Sequence, residues 1–241
     1  MQLNFEFMIK TFWLAFKAIP VTLEITIVSL LLAIFPAYGI ARSRIKKQKF
    51  WSQLGTVYVS LIRGTPILLQ ILIIYSVMPS FLNVVLKKIA PSVNIFDLNP
   101  IVYAFVVFTL NTIATLSEVF RSALQTVDKG QYEAALCCGL THFQAYRRIV
   151  IPQAMVCAIP NICNLTVVLI KNTSLAFLMT VKDITAVAKI QASYGFNYIE
   201  AYLDIFIIYI IVCSVVQIGF KHLEKRLTKK GIKKECKIKN A

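Results

Sequence analysis

From Ile149 to Ile170 the chain carries no charged residue. Twenty-two such residues in helical form rise about 33 Å, enough to cross the roughly 30 Å hydrocarbon core of a bilayer. Four further stretches have a similar character: Val21–Ala41, broken only by Glu24; Leu54–Met78, with Arg63 inside; Ile101–Arg121, following Pro100; and Tyr202–Phe220, with Asp204 near its start. Hydrophobic residues make up 58% of the 241 and charged ones only 15%. A soluble globule of this size cannot hide so much apolar surface, and a disordered chain would not contain it. The expectation is a single all-α integral membrane domain over 1–241, with spans near 21–41, 54–78, 101–121, 151–171 and 202–220.

The net charge of +15 would suggest nucleic acid in a soluble protein. Here the cations lie between and after the apolar runs, as the positive-inside rule demands, so no nucleic-acid partner is expected. Arg42 to Lys49 carries five cations, the segment after the third span four, and the tail from Lys221 nine. The opposite side has only Lys10, Lys17, Lys87, Lys88, Lys171, Lys182 and Lys189. This asymmetry predicts an N-terminus outside and a cytoplasmic C-terminus. Phe5–Ile19 is short and carries three charges, which predicts an interfacial helix on the outer face. Ser80–Pro100 reads as an outer loop, and Ser174–Glu200 as an outer segment holding short helices. No cleaved signal peptide is expected. The six cysteines have no metal-ligand spacing with His142 or His222, so no metal is expected and the thiols read as reduced.

Between the third and fourth spans, residues 128–150 carry their own helix punctuation. Gln131–Cys138 suits a short helix, and Gly139 suits the left-handed residue that closes one. Thr141-x-x-Gln144 is a capping box that starts a second short helix at once. Tyr132, Ala135 and Leu136 share an apolar face that calls for a partner surface. On these residues alone an ordinary connecting loop stands as an equal reading.

Glu133-Ala134-Ala135, Gly139 and then Ile149-x-Ile151-Pro152 resemble the EAA signature of permease subunits of bacterial ABC importers. Three more segments narrow the likeness to the polar amino-acid (histidine, glutamine and cystine-type) permease family. Arg63-Gly64-Thr65-Pro66 resembles its RGTP motif, Asn111 through Arg121 its third span, and Lys171-Asn172-Thr173-Ser174-Leu175 its KDTSL segment. The resemblance covers nearly the whole chain. It implies a type I importer (MetI-like) architecture in the bacterial cytoplasmic membrane, not an enzyme, whose hairpin couples to a separate ATPase through Glu133, Ala134, Ala135 and Gly139. It also implies that this chain holds no cofactor, ATP being bound by the partner. A solute-binding protein outside the membrane and a second permease, identical or related, are implied as well. The chain departs from the family at Asp128, where Pro is usual and a looser corner is expected. It departs again at Asn172, where Asp is usual, and around Phe35-Pro36, where a kink is expected.

Two polar stripes complete the reading. Asn111, Thr115, Glu118 and Ser122 share one face of the third span; Cys157, Asn161, Asn164 and Lys171 share one face of the fourth. Polar residues in a bilayer normally face protein or a water-filled cavity, so both helix packing and a translocation path stand open. Depth places Asn111, Asn161 and Asn164 near the midplane, where they could meet. A zwitterion needs both donors and acceptors, and neutral amides and hydroxyls supply them. The path residues expected are Asn111, Thr115, Asn161 and Asn164, with Lys171 drawing a carboxylate at the outer mouth and Arg121 snorkelling inward. The function expected is the membrane half of an ATP-driven importer for a polar amino acid. The opening stretch and Tyr58–Arg63 resemble cystine-type permeases, which makes cystine the favoured solute. A secondary carrier or channel, or a membrane-embedded transferase, are the alternatives; the chain has no nucleotide-binding loop and neither histidine has a partnered nucleophile.

Overall fold

The computed structural model describes residues 3–86 and 98–229, and these are helical almost throughout. Among the described residues, five helices are long and apolar enough to cross a membrane. In chain order the elements are α1 (Phe5–Phe16), α2 (Ile19–Ile45), α3 (Lys49–Gly64), α4 (Ile67–Leu86), α5 (Ile101–Thr126), α6 (Lys129–Cys137), α7 (His142–Ala145), α8 (Ile151–Asn172), α9 (Ile184–Gly195) and α10 (Tyr198–Lys229). A π turn over Tyr146–Val150 joins α7 to α8, and a 3-10 helix over Thr173–Met179 follows α8.

The centre of the bundle is α2 laid along α5, with α8 packed on α5 and also touching α2. Thr22, Thr26, Ser29, Ala33, Ala37 and Ala41 form a buried row of small residues on α2. Lipid tails are as apolar as leucine, so close backbone approach through small residues is what brings such helices together. Ala33 and Ala37 pack with Ile113, Leu116 and Leu165. α2 continues as one helix through Pro36.

The second span, expected over 54–78 with Gly64 and Pro66 suggesting a break, is two helices. Thr65 has extended backbone (φ −115°, ψ 142°), and α3 stops where α4 begins after Pro66. Proline drives the preceding residue out of the α region, so the break follows from the Thr65-Pro66 pair. Gln70 staples it: its Nε2 donates to the Ile62 carbonyl (2.7 Å), the Thr65 carbonyl (3.1 Å) and the Thr65 hydroxyl (2.9 Å).

α1 is a helix as expected, but it does not stand alone at a surface. It packs on α9 and α10, with Ala15 and Ala18 in a core shared with Ala201 and Ile208. Asn4 caps it, accepting from the Phe7 N–H (3.0 Å), while its own N–H donates to Glu200 (3.1 Å). Phe5, Ile9 and Trp13 keep the other face exposed. Of the segment expected to be an outer loop, 80–86 is the end of α4, and 87–97 lies outside the described residues. The segment after the fourth span does hold short helices. Asp183 caps α9, accepting from the Ala186 N–H (2.8 Å), and Tyr209 of α10 donates to its other oxygen (3.4 Å). Burial pushes the Asp183 carboxyl up to about 6, against the lowering pull of the Ala186 and Thr185 backbone and side-chain donors. Cys137, Cys138, Cys163 and Cys213 are free thiols, whereas Cys157 is disulfide-bonded, a departure from the reduced state expected. Reach between thiols decides pairing, and sequence spacing does not show it.

Candidate functional site

The hairpin after α5 is built by local rules at every step. Asp128 caps α6 by accepting from the Gly130 N–H (2.7 Å). Its φ of −62° is one that proline would share, and a carboxylate there also favours the positive end of the helix. The departure from the family's proline therefore leaves a capped corner, not a loose one. α6 ends in a Schellman arrangement: Gly139 has φ +81°, its N–H donates to the Leu136 carbonyl (2.9 Å), and the Leu140 N–H donates to the Ala135 carbonyl (3.2 Å). The Thr141–Gln144 capping box closes in both directions, at 3.3 and 3.0 Å.

The limb that follows is not a second short helix. α7, the π turn and α8 run on without a break from His142 to Asn172, about 46 Å of helix. The hairpin is thus a short crossbar, α6, set at the end of a membrane-length rod. Tyr132 locks the two together: its hydroxyl lies 2.8 Å from His142 Nδ1, and its ring meets that of Tyr146 edge-on at 5.3 Å. Gln153 of α8 donates to Gln131 of α6. The apolar face of α6 therefore finds its partner within the chain. Ala135 is only 7% exposed and supports α6 from behind, while Glu133, Ala134 and Gly139 stand exposed.

The two polar stripes meet different fates. Asn111 donates to Gln70 (3.3 Å), the residue that staples the break in the second span. Thr115 donates back to the Asn111 carbonyl (3.1 Å). Glu118 forms ion pairs with Arg44 of α2 and, at 2.7 Å, with Arg121 one turn along α5. Arg121 also donates to Gln125 (2.9 Å), so it is engaged on its own helix instead of reaching for the surface. On α8, by contrast, Asn161, Asn164, Val168 and Lys171 are exposed. The face of α8 that meets α5 is carried by Ala154, Ala158 and Ile162. The stripes do not face each other, and among the described residues no hydrogen bond links Asn111 or Thr115 to Asn161 or Asn164.

Lys171 opens onto a groove of about 520 Å³ between the end of α8 and α10, lined also by Ser174, Tyr202, Tyr209, Ser214 and Gln217. Sequence reasoning missed Ser214 and Gln217. The signal was present, since two polar residues three apart in an apolar span must find a partner or a cavity. It missed Gln70 and the role of Glu118 for a different reason: both act through partners on other helices. Arg63 is exposed at the end of α3. Among the described residues, no group of three or more His, Cys, Asp or Glu is placed to hold a metal.

Comparison with known proteins converges on one family. Residues 29–229 match the model of the binding-protein-dependent transport system inner membrane component. A probable amino-acid permease protein, YxeN of Bacillus subtilis strain 168, is 36% identical over 94% of this chain and 97% of its own length. The L-cystine transport system permease protein TcyL of the same organism is 34% identical over 88% of this chain and 86% of its own. The octopine transport system permease protein OccM of Rhizobium radiobacter is 33% identical over 90% and 87%. The solved structure of an amino acid ABC transporter superposes with a TM-score of 0.79 at 27% identity, over 94% of this chain and all of that one. The MetNI methionine ABC transporter, at a TM-score of 0.70 and 16% identity, shares the fold. In these transporters the permease subunit is not an enzyme and holds no cofactor; ATP is bound by a separate subunit. With its four motifs on a five-span bundle of this shape, the chain belongs to the binding-protein-dependent transport system inner membrane component family, the permease subunits of ABC importers.

Proposed function

We propose that this chain is the translocating subunit of an importer for a polar amino acid, with its hairpin in the cytoplasm and its N-terminus outside. It works in a bacterial cytoplasmic membrane with a second permease, an ABC ATPase and an extracytoplasmic amino-acid-binding protein. The observation that carries the reading is the crossbar-and-rod construction. α6 and its closing glycine offer Glu133, Ala134 and Gly139 outward, and the Tyr132–His142 and Gln131–Gln153 hydrogen bonds behind them tie α6 to the α7–α8 rod. A push on α6 therefore becomes a rigid-body movement of the fourth span, which a floppy loop could not transmit. Ala135 contributes by letting α6 lie close to its own chain.

The solute path in this reading follows the exposed face of α8, past Asn161 and Asn164 to Lys171 and the groove shared with α10. Neutral amides can greet both ends of a zwitterion, and the Lys171 ammonium draws the carboxylate. Asn111 and Thr115 border the path from α5, with Asn111 positioned by Gln70. L-cystine is proposed as the solute, supported by the likeness to TcyL and to TcyB, also named as an L-cystine permease protein and 33% identical.

The test is Gly139→Glu in the assembled transporter. A Cβ at Gly139 meets no atom within 4 Å, so the change adds a strained left-handed residue and a projecting acid at the crossbar without crowding the chain. Membrane insertion is expected to persist while cystine uptake falls at least tenfold and ATP hydrolysis becomes independent of solute. Uptake at the native rate would refute the coupling role.

A further inference from the structure

Two cavities meet beside the hairpin, one apolar and the other cationic. The first, about 570 Å³, lies among α2, α5 and α8 and is lined by aliphatic and aromatic side chains, with Tyr38 its single polar group. The second, about 630 Å³, lies at the hairpin end and is lined by Arg42, Lys46 and Arg147 together with Tyr132, His142 and Phe143. Tyr38 and Ile151 belong to both, so one space opens into the other.

The two helices that frame this space repeat the same order of chemistry. On α2 the residues four apart are Leu30, Ile34, Tyr38, Arg42 and Lys46. Along the α7–α8 rod they are Ile162, Ala158, Ala154 with Met155, Ile151, and then Arg147. Residues four apart share a helix face, so each row passes from apolar to cationic as it leaves the membrane-spanning stretch. From Leu30 to Tyr38 the apolar part is about 12 Å long, the depth of much of one leaflet's tails. Tyr38 sits at the turnover, where an aromatic hydroxyl suits the carbonyl level of a lipid.

The cations at the top are uncompensated. No carboxylate lines the second cavity, and among the described residues Arg42, Lys46 and Arg147 form no ion pair. The contrast with Arg44, two residues from Arg42, is direct, since Arg44 turns inward to Glu118. Phe35, 84% exposed, lines the first cavity, and Phe143, 71% exposed, lines the second.

We propose that this is a binding site for one anionic phospholipid of the leaflet at the hairpin end. Its acyl chain lies in the apolar groove between α2 and α8, and its phosphate is held by Arg42, Lys46 and Arg147. Because Tyr132 and His142 line the same cup and also lock α6 to the rod, the bound headgroup braces the hairpin. Basic pockets between spans on a charged leaflet attract such headgroups, each cation adding to the attraction.

The test uses the complete transporter in nanodiscs of equal phosphatidylglycerol and phosphatidylcholine, with retained lipid read by native mass spectrometry. Phosphatidylglycerol is expected to be retained at least tenfold over phosphatidylcholine. The set Arg42→Gln, Lys46→Gln and Arg147→Gln is expected to abolish that preference. Met155→Trp, which fills the apolar groove without changing charge, is expected to reduce retention of both lipids. A matched set on α10, Lys221→Gln, Lys225→Gln and Arg226→Gln, should leave retention within twofold of the native protein. Thermal unfolding of each variant in detergent should match the native protein, which separates lost binding from lost folding. Equal loss in the two cation sets would overturn the site, since the effect would then be one of total charge. Displacement of the lipid by millimolar glycerol phosphate would overturn it in favour of a free-phosphate site. Selective retention seen only after the ATPase subunit is stripped from the complex would overturn it in favour of a protein-docking face.

Discussion

α5 and α8 each carry a row of polar side chains at steps of three, four or seven, and in one dimension the rows look alike. In the folded chain they are opposites. The α5 row is used up inside the bundle, through Asn111 on Gln70 and Glu118 on Arg44 and Arg121. The α8 row, Asn161, Asn164 and Lys171, is left open. A polar group in a membrane needs a partner, and the partner is either protein or the aqueous path. The first case stabilises the subunit; the second leaves a surface for solute or for another permease. The difference predicts that substitution of Glu118 acts on folding and substitutions in the α8 row on transport.

The largest effect is expected at Glu118. Its side chain is 17% exposed and two arginines converge on it. Glu118→Ala leaves both cations without their carboxylate at a helix interface, costing about 2–3 kcal/mol, below the full penalty for a completely buried pair. Thermal unfolding in detergent should fall accordingly, with uptake per folded molecule little changed. An unchanged midpoint would place Glu118 with the open row.

Asp183 extends the comparison to the groove that Lys171 enters, because its partner Tyr209 lines that groove. Its folded value of about 6 stands above the unfolded carboxylate range. Below about pH 4 both states are protonated and the native state suffers no penalty. As pH rises from about 4 through 6, the unfolded chain releases the proton first, so stability falls, by about 2–3 kcal/mol in all. Asp183→Asn retains a side chain able to cap α9 and should remove this pH dependence. Unfolding midpoints at pH 4.5 and 7 in native and variant protein decide it; equal slopes in the two would exclude Asp183 as the source.

The smallest change in free energy is expected on the open row. Asn161→Leu with Asn164→Leu alters two exposed positions and should leave the unfolding midpoint within about 0.5 kcal/mol. Uptake should nonetheless drop about tenfold. A large loss of stability with normal uptake by the surviving molecules would turn the comparison around.

Legibility followed the range of the interactions involved. The hairpin's glycine corner and capping box were readable because Gly139, Thr141 and Gln144 act on backbone groups within three or four residues, whereas Asp128, expected to loosen the corner, caps it. The apolar lengths of α2, α5, α8 and α10 were readable because bilayer thickness fixes them. The break in the second span was visible as a possibility at Gly64 and Pro66, but its place at Thr65 and its Gln70 staple were not. The expected meeting of Asn111 with Asn161 and Asn164 failed because depth was inferred from the sequence while rotation about the helix axis was not. Arg121 was expected to snorkel because its partner, Glu118, was assigned no role.

By itself the sequence determined that this chain spans a membrane with five helices, carries a capped hairpin and belongs to a family of importer permeases. Those properties rest on hydrophobic length, local capping and motif order, each a matter of neighbours along the chain. Only the tertiary structure decided that the hairpin's second limb is the fourth span itself, that one polar row is spent on packing while the other stays open, and that Arg42 and Arg44 turn to opposite sides of α2. Those depend on how each helix is rotated against the next, which close packing of small residues across the whole bundle fixes and no single segment encodes.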